Sequence, residues 1–147
     1  MTTQIISTVT KTVSQNGQQM PTSSYTVAGV QAPPLETDVP VATPLVLVDG
    51  VGTLKHANLN LLYMLADALD CTVQFYTGAD GSTGPIGAAI ALVAGVPYEW
   101  DSNSGASPLG SSDAGSVKIT ATNFIKGVAS GGTPVSTPVH MRTSLTA

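Results

Sequence analysis

Residues 71–100 read CTVQFYTGADGSTGPIGAAIALVAGVPYEW, and this stretch decides the fold class. Cys71, Val73 and Phe75 alternate with Thr72, Gln74 and Tyr76, the period of a strand with one face buried. Asp80-Gly81 and Gly84-Pro85 then supply two turn pairs in close succession. The apolar run Ala88 to Val93 is bounded by Gly87 and Gly95, and Pro97 would break any helix passing through it. The run is therefore predicted to be a strand, with Gly95 as turn or bulge and Tyr98 to Trp100 as the next strand. Two of the three strands are separated by turn chemistry typical of antiparallel sheets.

The same grammar continues on both sides. LVLVDG (45–50) is a short β-branched run closing on Asp49-Gly50. In SVKITATN (116–123), Val117, Ile119 and Ala121 are predicted inward, with Lys118, Thr120 and Thr122 outward. VHMRTSL (139–145) follows the Gly131-Gly132 and Pro134 breaks as the last strand candidate. ANLNLLYML (57–65) has two readings. Leu59, Leu61, Tyr63 and Leu65 share a period of two, whereas Leu59, Leu62, Ala66 and Leu69 lie near helical spacing. A strand followed by a short turn at 66–70 is the favoured one. Strands at this spacing point to an all-β sandwich or barrel, and the expectation is a single antiparallel β-sandwich over residues 45–147.

Residues 1–44 differ in character. Pro33, Pro34, Pro40 and Pro44 favour an extended, polyproline-like path. Two pieces alternate like strands: Ile5 to Val13, and Tyr25 to Val30. Neither has an evident local neighbour for its apolar face, so the segment is expected to be an extended N-terminal arm that orders against another subunit. Ile5, Ile6, Val9, Val13 and Tyr25 are its candidate contact residues.

Only 10% of residues are charged, against roughly one quarter in ordinary soluble domains. Ser, Thr, Ala, Gly and Val take their place, a composition suited to a protein packed in an assembly. The net charge is −4, and the five cations Lys11, Lys55, Lys118, Lys126 and Arg142 are scattered. A nucleic-acid partner, which needs clustered cations to displace counterions, is not expected. The longest apolar run is too short to span a bilayer, and no leader-like segment opens the chain. Neither a membrane nor a secretory route is expected.

Catalytic chemistry finds little footing. Cys71 is the sole cysteine, which excludes an intrachain disulfide and a cysteine zinc cluster, and it reads as a small buried hydrophobe. Gly81, Gly84 and Gly87 lack the Lys-Ser/Thr of a phosphate loop, and Pro85 spoils a strand-to-helix context. His56 and His140 have no carboxylate or histidine at helical spacing. Asp101 to Ser104 lack the alternating acids of a calcium loop, and Asp80 and Asp113 are turn acids. No serine sits in a G-x-S-x-G elbow. The chain is expected to be no enzyme and to need no cofactor or metal. Tyr98 and Trp100 share one strand face and Glu99 the other, so the pair either plugs the core end, meets a subunit, or stacks on sugar.

The run DCTVQFYTGADGSTGP, then GAAIALVAGVPYEWDSNSGASPLG, then DAGSVKITATN, resembles a pattern in small structural proteins of tailed bacteriophages. The likeness covers about Cys71 to Asn123, and the arm has no counterpart in it. It implies a jelly-roll or immunoglobulin-like β-sandwich located in the virion, with no catalytic residues. It further implies a capsid cement or decoration protein, made in the host cytoplasm and bound at the capsid surface. Its partners would be the major capsid protein and copies of itself as a homotrimer. The alternative is a carbohydrate- or receptor-binding module on a tail or neck appendage, with Tyr98 and Trp100 stacking on glycan.

Overall fold

The computed structural model describes residues 4–11, 14–15, 18–19, 23–31, 35–41, 43–48, 54–122 and 136–146; before Glu36, only Thr8 and Thr10 have described side chains. Twelve strands are defined among these residues. They are β1 (Gln4–Lys11), β2 (Ser14–Gln15), β3 (Gln18–Gln19), β4 (Ser23–Gln31), β5 (Leu35–Pro40), β6 (Leu45–Leu47), β7 (Leu59–Ala66), β8 (Cys71–Tyr76), β9 (Pro85–Leu92), β10 (Tyr98–Asp101), β11 (Ser116–Ala121) and β12 (Ser136–Leu145).

The last eight strands pair as a nested hairpin. β8 pairs with β9, β7 with β10, β6 with β11 and β5 with β12, all antiparallel. Rolling that hairpin brings β12 against β7 and β11 against β8. The result is two facing sheets, β5-β12-β7-β10 and β6-β11-β8-β9. Eight strands joined this way form a jelly roll, which resolves the choice between jelly-roll and immunoglobulin-like topology. The chain passes from the first sheet to the second at Val41, which bridges Ala121 in parallel.

The core between the sheets follows the alternation read in β8 and β11. Cys71, Val73 and Phe75 face Val117, Ile119 and Ala121 side by side, and all six are buried. Leu62, Met64, Val139 and Met141 close over them from the other sheet. Leu54, Leu69 and Leu109, from the connecting loops, seal the ends and are fully withdrawn from water. Thr137, itself buried, accepts the N–H groups of Ala68 and Leu69 at 2.9 and 3.2 Å, which satisfies the backbone of the β7–β8 turn.

In β7 the buried phase differs from the expected one. Leu59 is buried, but Leu62, Met64 and Ala66 are the next inward residues, while Leu61, Tyr63 and Leu65 lie half-buried on the opposite face. The cause is a register shift against β12: Leu145 opposes Leu59 and Ser144 opposes Leu61, so Asn60 is an extra residue. A bulge inverts the alternation beyond it. Ser102 holds the bulge, its N–H donating to the Asn60 carbonyl at 2.9 Å and its hydroxyl to Asn60 Oδ1 at 2.7 Å. β9 carries a second irregularity, since Val73 opposes Ile90 and Phe75 opposes Ile86. Gln74 Nε2 donates to the Ile86 carbonyl there at 2.8 Å.

Glycine is required where the β8–β9 loop closes. Gly84 has φ +66°, and a Cβ there would fall 2.1 Å from Thr77 Oγ1. Thr77 N donates to the Gly84 carbonyl at 2.8 Å, so the loop shuts against this residue.

The expected division at residue 44 does not coincide with a break in the sheets. Leu35–Pro40 is a strand with six partners on β12, and Val39 is fully buried in the core. Its two-residue alternation outweighs its proline: Thr37 and Val39 face in, and Glu36 and Asp38 face out. Pro40 sits at the strand end, where a missing donor costs least. Before it, β1 and β4 pair with each other over eight positions, from Gln4↔Val30 to Lys11↔Ser23. The two pieces with no evident partner are therefore the two halves of one hairpin. β4 joins the ladder of the body where Gln31 and Val30 oppose Ser144 and Leu145, and it also lies near β7.

Candidate functional site

β10 lies at the edge of the larger sheet with Tyr98 opposite Met64, Glu99 opposite Tyr63, and Trp100 opposite Leu62. Trp100 is 9% exposed and belongs to the core, and half-buried Tyr98 packs against it. Burial also raises the Tyr98 phenol above its ordinary pKa. Glu99 points to solvent. The Trp100 Nε1–H is buried and has no partner among the described residues. A stacking platform presents an open ring face, and this ring is closed over by the sandwich. The polar loop beyond folds onto itself, with Asn103 N donating to Asp101 Oδ1 and Ser104 N to the Asp101 carbonyl, both at 2.8 Å.

Two charged clusters form that sequence spacing did not disclose. On the outer face of the larger sheet, His140 Nε2 lies 3.0 Å from Asp67 Oδ2, and its Nδ1 lies 3.6 Å from Glu36 Oε1. Arg142 Nη2 donates to the same Glu36 oxygen. The Asp67 carboxylate raises the His140 pKa, and the Arg142 guanidinium lowers that of Glu36. At one end of the roll, Asp113 accepts from Lys55 Nζ at 3.2 Å and from His56 N at 3.0 Å. The His56 side chain, whose Nδ1 lies 3.0 Å from Asp113 Oδ1, lowers the Asp113 pKa most, and the two bonds just named add to it. The only available signal for the first cluster was the outward phase of His140 and Arg142 on their strand. Their partners come from segments about a hundred and about seventy residues away, which only the nested pairing brings close.

Neither cluster contains a nucleophile beside a base. No group of three or more His, Cys, Asp or Glu side chains is arranged for a metal among the described residues. Cys71 is buried, and that burial, with Asp70 nearby, pushes its thiol up to about 11. Asp80 accepts from the N–H and hydroxyl of both Ser82 and Thr83, at 2.6–3.0 Å, and these bonds lower its pKa strongly. It is the turn acid its position suggested.

Of the candidate contact residues, Ile5, Ile6 and Val9 stand on β1 and Tyr25 on β4, with Val9 and Tyr25 as direct backbone partners. The side chains of these four, and Val13 altogether, lie outside the described residues.

No family model matches the chain, and no curated protein matches it. A solved structure described as "Bacillus endospore appendages form a novel family of disulfide-linked pili" is similar over 99% of this chain and 92% of its own, at 14% identity and a TM-score of 0.42. A likeness of that strength carries neither fold nor function across.

Proposed function

We propose that the protein is a structural subunit of a virion, acting as a capsid cement or decoration protein on the major capsid protein lattice. The observation that carries this reading is the hairpin of β1 and β4. It is tied to the body by two backbone pairs, Ser144↔Gln31 and Leu145↔Val30, while eight further pairs lie between its own strands. Such an extension adds contact area without a core of its own, and coupled arm and body contacts raise retention through effective concentration. The jelly roll is used by viral capsid and lectin domains alike, so the fold supports the reading without deciding it. The phage assignment rests on the resemblance of residues 71–123, and the homotrimer on the same footing.

The test is a reconstruction of the particle together with rebinding of purified protein to shells that lack it. A cement protein appears in proportion to the capsid lattice and raises the temperature at which the shell breaks. A single ring of copies at a tail or neck, with glycan binding by the purified chain, would replace this reading with the appendage one.

A further inference from the structure

We infer that β1 is a self-association edge, and that two copies of this chain join by antiparallel pairing of β1 with β1 around a two-fold axis.

An exposed sheet edge is a template for another strand, and folded proteins guard such edges with charges, prolines, bulges or brevity. The described edges of the body are guarded in these ways. β5 carries Glu36, Asp38 and Pro40; β10 is four residues long and carries Glu99; β6 is three residues long. β9 is longer, but its register breaks between Ile86 and Ile90. β1 differs from all of them. It runs eight residues in unbroken register with β4, holds neither proline nor acid, and has one charge, Lys11, at its end. Its other edge has no strand partner among the described residues.

The occupant follows from the same comparison. The guarded edges of a second copy's body are poor partners. The second edge of β4 is joined to β12 at Val30 and Gln31 and interrupted by Gly29, so a strand laid along it would run into the body. A second β1 is free along its whole length, equally long and complementary to itself. Orientation is set by Lys11: parallel pairing stacks Lys11 on Lys11, while antiparallel pairing sends the two to opposite ends. A two-fold axis normal to the sheet pairs residues of like parity. Centring it on Ser7 sets Ile5 opposite Val9 and Ile6 opposite Thr8; centring it on Thr8 would instead set Ile5 opposite Lys11. Ser7 is thus the axis residue, and the contact is isologous. Within an assembly of trimers it would link one trimer to the next.

This inference rests on the arm being an assembly element, though not on what the assembly is. The test therefore uses the purified full chain without capsids, and failed capsid rebinding would leave it intact. Sedimentation over a concentration series is expected to show self-association in the wild type. Ser7→Lys and Ser7→Glu, which place like charges face to face, should each lose this pairing and sediment as the smaller species at every concentration. A one-to-one mixture should recover association, because the opposite charges then meet. As a second measure, Ser7→Cys should form a disulfide-linked pair under mild oxidation, with the buried Cys71 silent. A wild type that stays monomeric, or a Ser7→Lys protein that associates undiminished, would overturn the inference.

Discussion

Trp100 lies directly opposite Leu62 across the β10–β7 ladder, and both side chains are withdrawn between the two sheets. Trp100→Ala should destabilise the protein by about 3 to 5 kcal/mol, the usual cost of emptying an aromatic core position. Trp100→Phe should cost less than the alanine change, because it keeps part of the ring contact and removes a buried N–H that has no described partner, though the lost second ring leaves a smaller cavity. Denaturant melts measure both. Stability unchanged in the alanine variant, combined with lost binding to a glycan array, would restore the stacking reading.

Cys71 should be chemically silent in the folded protein. Its thiol is buried and pushed up to about 11, so the reactive thiolate is scarce at neutral pH. The Sγ also donates to the Leu69 carbonyl at 3.6 Å. Alkylation at about pH 8 should proceed only after denaturant is added, with a rate that tracks unfolding. Rapid labelling of native protein would show that the β7–β8 turn opens locally.

Much of the sandwich was legible because its strands obey a simple alternation. Cys71, Val73 and Phe75, and Val117, Ile119 and Ala121, are inward as their spacing requires. Alternation fails as a guide where a single extra residue inverts it, and nothing about Asn60 marks it as the bulge that turns Leu62 inward instead of Leu61. In Leu35–Pro40 the closing proline, with Pro33, Pro34 and Pro44 on either side of the strand, obscured a pattern that was present. The hairpin of the arm also had a signal, the Asn16-Gly17 pair between β2 and β3, a composition typical of two-residue turns. Of the His140 cluster only the shared outward phase of His140 and Arg142 was legible, because their partners Glu36 and Asp67 are brought to them by topology alone.

Truncation should separate the arm from the body at residue 31, ahead of residue 44. Removing residues 1–31 leaves β5 and its six partners on β12, so the body should keep its cooperative melt while losing assembly. Removing residues 1–44 also deletes Val39, whose fully buried side chain alone contributes about 1.5 to 3 kcal/mol. The longer deletion should therefore melt well below the shorter one, or fail to fold. Equal melting of the two would show that β5 is dispensable to the sandwich.

The His140 cluster should make stability depend on pH in two separate windows. His140 faces Glu36 from β5 and Asp67 beyond β7, with Arg142 two residues along its own strand and Asp38 engaged by Ser136 at 2.8 Å. Its pKa is raised above 6.5, first by its hydrogen bond with Asp67 and against the opposing effect of desolvation. The folded state thus binds the proton more tightly, and that contribution is full below pH 6.5 and is lost as pH rises through the folded value. Glu36 works in the opposite direction. Arg142, more than His140, lowers its pKa below 4.5, so its contribution is present above that pH and is lost as acid protonates it. Both act together between pH 4.5 and 6.5. Because the groups are largely exposed, the effect should be small and should shrink with added salt. Melts at about pH 5.5 and 8.5 should show wild type losing stability at the higher pH, with the loss reduced in His140→Gln to the part that the raised Cys71 thiol supplies. Glu36→Gln should flatten the acid side of the profile, and, with one of the imidazole's two carboxylates removed, weaken the alkaline loss without abolishing it. A His140→Gln protein with an unaltered alkaline slope would place the proton on another group and break the link between β5 and the charge of this imidazole.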